Sequence, residues 1–276
     1  MKLHCIPILS ALFTSLVCFS NPATKISDNS PSSGIVIRWN DCEQTIDGFG
    51  IAQAGWAKEL FAFKNRKQVM DKMFGNDGLR LNILRGEIFP HYWENKEDKD
   101  FNLNDDINIE LCDSDFNNKS DDLLRRGQLW LTLEAKNKYH INKLVFSTWS
   151  APAWMKSNGK VSNGKLKPEC YQDFANYLAA FYKAYKSKGI TPYAISPSNE
   201  PGYAAPWNSS LWTADEMGKF ITSNLGPTFQ KENIPAKIIF GENPLWSVVM
   251  PQLKMVSSKD FTDTILQDYP EIKKFN

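Results

Sequence analysis

Glu200 stands in ISPSNEP, residues 195–201, directly after Asn199 and before Pro201. A carboxyl group a few residues beyond a short apolar run is placed to move protons. It can protonate a leaving atom and then take a proton from water. That work calls for a second charged group nearby. Glu242 in FGENP (240–244) and Glu87 in RGEI (85–88) follow apolar runs in the same way. Arg85 precedes Glu87 by two residues and suits a hydroxyl or a carboxylate. Plainer readings fit the same positions: a loop glutamate that solvates a turn, and an arginine in a structural ion pair. Pro201 biases Glu200 toward extended backbone.

Aromatic residues accompany these carboxylates. Trp149, Trp154, Tyr203, Trp207, Trp212 and Trp246 fall in or beside loops that follow short apolar runs. Flat rings gathered on one face suit sugars, whose C–H faces are apolar and whose rims are polar. For any single ring, core packing is an equal alternative.

Other chemistries lack their residues. His4 lies in the N-terminal apolar segment, which leaves His91 and His140 for a histidine-built zinc site. There is no Gly-x-Ser-x-Gly elbow, no phosphate-binding P-loop and no His-Glu-x-x-His. No metal and no cofactor is expected. Lys and Arg number 32 against 31 Asp and Glu, well mixed, which argues against a nucleic-acid partner.

The elements that must hold these residues alternate. Short β-type runs are expected near residues 45, 79, 143, 192 and 236, and each leads into a helical pattern. The helices are expected over about 56–74, 123–139, 168–188 and 213–232, with another ending near Tyr269. Thr213 and Glu216 have the spacing of a capping box. Alternation of this kind predicts a parallel sheet with helices outside it. In a (β/α)8 TIM barrel the loops after the strands build the active site. An open doubly wound sheet is the alternative, but DGFGIAQAGW (47–56) lacks the dinucleotide glycine spacing. Five strand–helix units are legible where a barrel has eight, and EIKKFN (271–276) reads as the approach to a sixth strand.

The N-terminal residues differ from the rest. Residues 1–20 open with Lys2, run apolar from Cys5 to Phe19 and end in small residues, as a secretory signal peptide does. A retained signal anchor is the alternative. Residues 21–34 are a polar, Pro- and Ser-rich linker. The expectation is a secreted protein, extracellular or periplasmic, without a membrane span once the leader is removed. Cys42, Cys112 and Cys170 then remain, as one bridge and a free thiol or as three buried thiols.

Taken in order, IDGFG (46–50), ILRGEI (83–88), STWSAPAWMKSNG (147–159), ISPSNEP (195–201) and IIFGEN (238–243) resemble glycoside hydrolase family 30. That family includes glucosylceramidases, endo-β-1,6-glucanases and endo-β-1,4-xylanases. The resemblance runs from about residue 35 onward. It implies a (β/α)8 barrel with a side β-sandwich, to which IVIRW (35–39) would give one strand. It implies a retaining mechanism, with Glu200 after the fourth strand as general acid/base. It places Arg85, Trp149 and Asn199 at the sugar. Trp154, Tyr203, Trp207 and Glu242 are the further sugar-binding candidates. The family's nucleophile follows a seventh strand, so this chain is expected to lack it and to be a poor catalyst as it stands. A catalytically inactive carbohydrate-binding fragment is the alternative. The expected partner is a carbohydrate such as xylan or β-1,6-glucan; no protein partner is identified.

Overall fold

A computed structural model of the 276-residue chain describes residues 38–53, 56–93, 96–97, 127–246 and 257–275. The chain divides into two compact units, Met1–Asp47 and Gly48–Asn276. The expected leader, linker and residues 35–37 lie outside the described residues. Within the first unit, Trp39 lies in a turn and not in a strand.

The second unit is built on five parallel strands, β1 (Gly50–Ala52), β2 (Ile83–Ile88), β3 (Lys143–Thr148), β4 (Ala194–Ser196) and β5 (Lys237–Ile238). Their order in the sheet is their order in the chain. Each neighbour is parallel, as strand–helix crossovers require. An open doubly wound sheet reverses direction at a switch point. This sheet does not, so the barrel reading holds among the described residues.

Register decides which residues face which side. Gly86 pairs with Phe146 and Ile195 with Ile238, on the face covered by helices. Phe146 there meets Phe181 and Tyr185 of the long helix Tyr171–Ser187 (called α4 below). That helix buries Phe174, Tyr177, Leu178, Phe181, Tyr182 and Tyr185, a three-and-four spacing that makes one apolar stripe. Burial of each such ring or leucine stabilises by roughly 1.5–3 kcal/mol, so this layer is the main core. The opposite face carries Arg85 and Glu87 of β2 and Ser147 of β3.

The remaining helices are α1 (Ala57–Ala62), α2 (Arg66–Phe74), α3 (Gln128–Tyr139), α5 (Ala214–Phe220), α6 (Gly226–Lys231) and α7 (Ser258–Asp268). The single helix expected over 56–74 is two helices. The helix expected over 213–232 begins with the capping box of Thr213 and Glu216. It then passes through a π-helical turn, Ile221–Leu225, before α6. Pro227 has no N–H to give to the preceding turn. A π turn is one way to relieve that loss. The approach to a sixth strand is instead a 3₁₀ helix, Pro270–Phe275. It follows Tyr269, whose ring lies where a side chain on Gly218 would be, as Phe275 does at Gly226.

No described helix is long and apolar enough to cross a membrane. Cys42 is exposed and Cys170 buried, both free; Cys112 lies outside the described residues.

Candidate active site

β2, β3, β4 and β5 are parallel neighbours, so their C-terminal ends share one edge of the sheet; Arg85 lies within β2, and Trp149, Asn199, Glu200 and Glu242 lie in the loops after β3, β4 and β5. Arg85 is the centre. Its guanidinium donates to Asn199 Oδ1 at 2.7 Å and meets Glu242 Oε1 at 3.3 Å. It also lies 4.6 Å from the centroid of the Trp149 ring, a cation–π contact. Four residues from four strand ends are thereby joined through one side chain. Arg85 and Glu242 are 23% and 21% exposed, so this ion pair is partly shielded from water.

Glu242 has neither oxygen idle. Oε1 faces Arg85, and Oε2 accepts from the Ser147 hydroxyl at 2.7 Å. Ser147 reaches it because β3 register turns that residue to the same face as Glu87. The expectation that Glu242 binds sugar therefore meets a carboxylate already committed to protein groups. Ser147 had no motif that singled it out beyond its place at the start of the STWS stretch.

Glu200 differs in two ways. Its carboxylate accepts no hydrogen bond among the described residues, and it is half-buried. Its backbone has φ +48°, the left-handed region, not the extended form expected before proline. The surrounding loops impose this conformation. Glu200 N–H donates to Glu242 O at 2.9 Å, and Glu200 O accepts from Tyr203 N–H at 2.9 Å. Gly202 N–H donates to Asn243 Oδ1 at 2.9 Å, and Asn199 N–H to Thr148 O at 2.6 Å. These bonds offset the roughly 1–2 kcal/mol that a non-glycine residue costs in this region. Strain of this kind recurs where a side chain is aimed for a task.

The aromatic set is smaller than expected. Trp212 is 5% exposed and belongs to the core. Trp154 packs against the same core and donates its indole N–H to Trp93 O at 3.2 Å. Trp207 is 48% exposed and stands edge-on to Tyr203, with ring centroids 6.2 Å apart. Trp246 is 76% exposed. Alternation of burial along a loop has no fixed period, so spacing alone did not separate core rings from open ones.

Gln128 supports the site from α3 and was not foreseen. β1 ends before it can pair with Glu87. The Gln128 amide takes the place of a strand: Oε1 accepts from Glu87 N–H at 2.6 Å, and Nε2 donates to Glu87 O at 2.7 Å. Gly86 makes this approach feasible. A Cβ there would lie 2.6 Å from both Gln128 Oε1 and the Phe146 ring. Among the described residues no group of His, Cys, Asp and Glu is arranged to hold a metal ion.

Parallel strands in chain order, with charged and aromatic residues collected in the loops at their C-terminal ends, define a βα-barrel of the enzyme-bearing type. The chain belongs to glycoside hydrolase family 30: residues 46–243 match the model described as the Glycosyl hydrolase family 30 TIM-barrel domain. It is 28% identical over 237 residues to the endo-1,6-beta-D-glucanase of Neurospora crassa, covering 79% of this chain and 45% of that protein. It is 30% identical over 123 residues to the lysosomal acid glucosylceramidase of Mus musculus, covering 39% and 24%. The fold matches the catalytic domain of a GH30 xylanase C from Talaromyces cellulolyticus with a TM-score of 0.57, at 25% identity, over 71% of this chain and 46% of that one. The chain thus spans less than half the length of these relatives.

Proposed function

We propose that this chain carries the sugar-binding face and the acid/base carboxylate of a secreted, retaining β-glycosidase. The substrate class is a β-linked polysaccharide of the xylan or β-1,6-glucan type, or a simpler β-glycoside. Membership of glycoside hydrolase family 30 supports the reaction class. Names of the relatives, a β-1,6-glucanase, a xylanase and a glucosylceramidase, support β-linked sugars. The leader-like N-terminus supports export.

One observation carries the role of Glu200. Of the two carboxylates joined at Glu200–Glu242, Glu242 is held by Arg85 and Ser147 while Glu200 is open to a ligand. In the proposed reaction Glu200 protonates the glycosidic oxygen as a nucleophile attacks the anomeric carbon. A covalent glycosyl–enzyme forms and the first alcohol departs. Glu200 then takes a proton from water, which attacks the same carbon and releases the sugar with its configuration retained. Arg85 and Asn199 bind ring hydroxyls; Asn199 still has its amide NH₂ to donate. Trp149, Tyr203 and Trp207 supply apolar surface. Retention needs the nucleophile about 5–5.5 Å from Glu200. The resemblance to the family, whose nucleophile follows a seventh strand, supports a nucleophile outside the five strand–helix units described.

The test is hydrolysis of β-1,6-glucan, xylan and aryl β-glycosides by a chain that joins these units to the proposed nucleophile strand, with the first-formed anomer read by NMR. Retained configuration is expected, and an inverted product rules the mechanism out. A second reading, sugar binding without hydrolysis, is favoured by the same commitment of Glu242, which leaves Glu200 without a described catalytic partner. Calorimetric binding of oligosaccharides with no product release would select it.

A further inference from the structure

A buried lysine joins the loop after β3 to the loop after β4. Lys156, in WMKSNG, is 0% exposed. Its Nζ donates to Ser209 O at 2.7 Å and to Ser150 Oγ at 3.1 Å. It forms no ion pair among the described residues, and burial pushes its ammonium down to about 8. An unpaired buried cation opposes folding. A methionine would fill the same space without that cost, but it would leave the two acceptors unserved.

Both acceptors belong to segments that carry aromatic rings of the proposed face, Trp149 half-buried and Trp207 exposed. Ser150 follows Trp149 directly. Ser209 governs Trp207: its hydroxyl donates to Ala205 O at 2.9 Å and lies 3.2 Å from Trp207 O. The same hydroxyl accepts from Asn163 N–H at 2.9 Å, and Ser209 N–H donates to Val161 O at 3.0 Å. An isolated bridge pairs Ser162 with Asn208, and Leu211 N–H donates to Gly164 O at 2.9 Å. The two loops are therefore laced along their length, with Lys156 beneath the lacing. An amine suits this position because one atom can donate in several directions.

We infer that Lys156 is a positioning residue, which sets the separation between Trp149 and the Tyr203–Trp207 pair and hence how the face accepts a glycan longer than one sugar. The inference rests on the proposed sugar-binding role of that face. The lysine acts on both through Ser150 and Ser209.

The experiment compares the full chain with Lys156→Met in two arms, both well below the unfolding temperature. In the first, hydrogen exchange is followed at the amides of Asn163, Ser209 and Leu211. In the second, calorimetry measures a methyl β-glycoside and a β-linked oligosaccharide of the same sugar. Exchange at all three amides should quicken about tenfold, the factor one lost hydrogen bond to a charged donor carries. Oligosaccharide affinity should fall by a similar factor while the monosaccharide glycoside binds as before. Equal losses for both ligands, or unchanged exchange, overturn the inference. A wild-type chain that binds neither ligand overturns the glycan reading instead, and the exchange arm then decides the tether alone. Should Lys156→Met fail to fold, Ser150→Ala removes one acceptor only and should shift the same readouts about threefold, consistent with one weaker hydrogen bond.

Discussion

The backbone N–H of Glu200 donates to the carbonyl oxygen of Glu242 at 2.9 Å, yet the two side chains have opposite fates. Glu242 spends both carboxylate oxygens on Arg85 and Ser147. Glu200 spends neither among the described residues. This hydrogen bond and that of Gly202 N–H to Asn243 Oδ1 fix the loop after β4 against the loop after β5, while the Glu242 side chain is anchored and the Glu200 side chain is left open. Glu200 is held with φ +48° as part of this arrangement.

Glu242→Gln should destabilise the fold. The change keeps the shape but leaves the Arg85 charge facing a neutral amide in a partly shielded site. A loss of about 1–3 kcal/mol is expected, the range for a shielded charged group that loses its partner. Urea unfolding of the variant checks it. Glu200→Gln in the same assay should be nearly neutral, because its carboxylate has no protein partner to lose.

Gly86→Ala should be destabilising despite adding one methyl group. Its Cβ would lie 2.6 Å from the Phe146 ring and from Gln128 Oε1. Relief requires Gln128 to release Glu87 or the Phe146 ring to move in the core. Overpacking of this kind costs about 1–3 kcal/mol, and a lowered thermal midpoint would report it. An unchanged midpoint would mean that the Gln128 bridge is softer than the geometry indicates.

Lys156 should make stability depend on pH. Its ammonium titrates at about 8 in the fold and near 10.5 when solvated. Between those values the unfolded chain binds more protons than the folded one, so stability rises with pH. Below pH 8 the penalty is fully present; above 10.5 it is gone. Unfolding free energies of wild type minus Lys156→Met should therefore climb between pH 8 and 10, by up to roughly 1.4 kcal/mol per pH unit. Taking this difference cancels the tyrosines, which titrate alike in both proteins. A flat difference would place a charge partner beside Lys156.

The strand–helix alternation was legible because parallel strands with helical crossovers impose two periods on the chain, and the family motifs fixed Arg85, Trp149, Asn199 and Glu200 at strand ends. What could not be read were relationships set by register and loop packing. Pro201 predicted an extended Glu200, but three long-range loop hydrogen bonds and the turn to Tyr203 outweighed the local preference. Trp212 looked like an open ring because loops have no burial period. Ser147, Gln128 and Lys156 matter through partners 95, 41 and 53 residues away, and no short motif encodes such distances. Pro227 was visible in the sequence, yet its π turn was not.

The most direct test of the central claim is the hydrolysis rate of wild type and Glu200→Gln, each in a chain that also carries the proposed nucleophile strand, on two substrates, a β-glycan and an aryl β-glycoside with a dinitrophenolate leaving group. A nitrated phenolate departs without a proton, whereas a sugar alkoxide needs one. As acid/base, Glu200 should be worth roughly 10²–10⁴-fold on the glycan, with little effect on the first release of dinitrophenolate. A variant that keeps its glycan activity, or loses both activities to the same degree, would contradict the assignment.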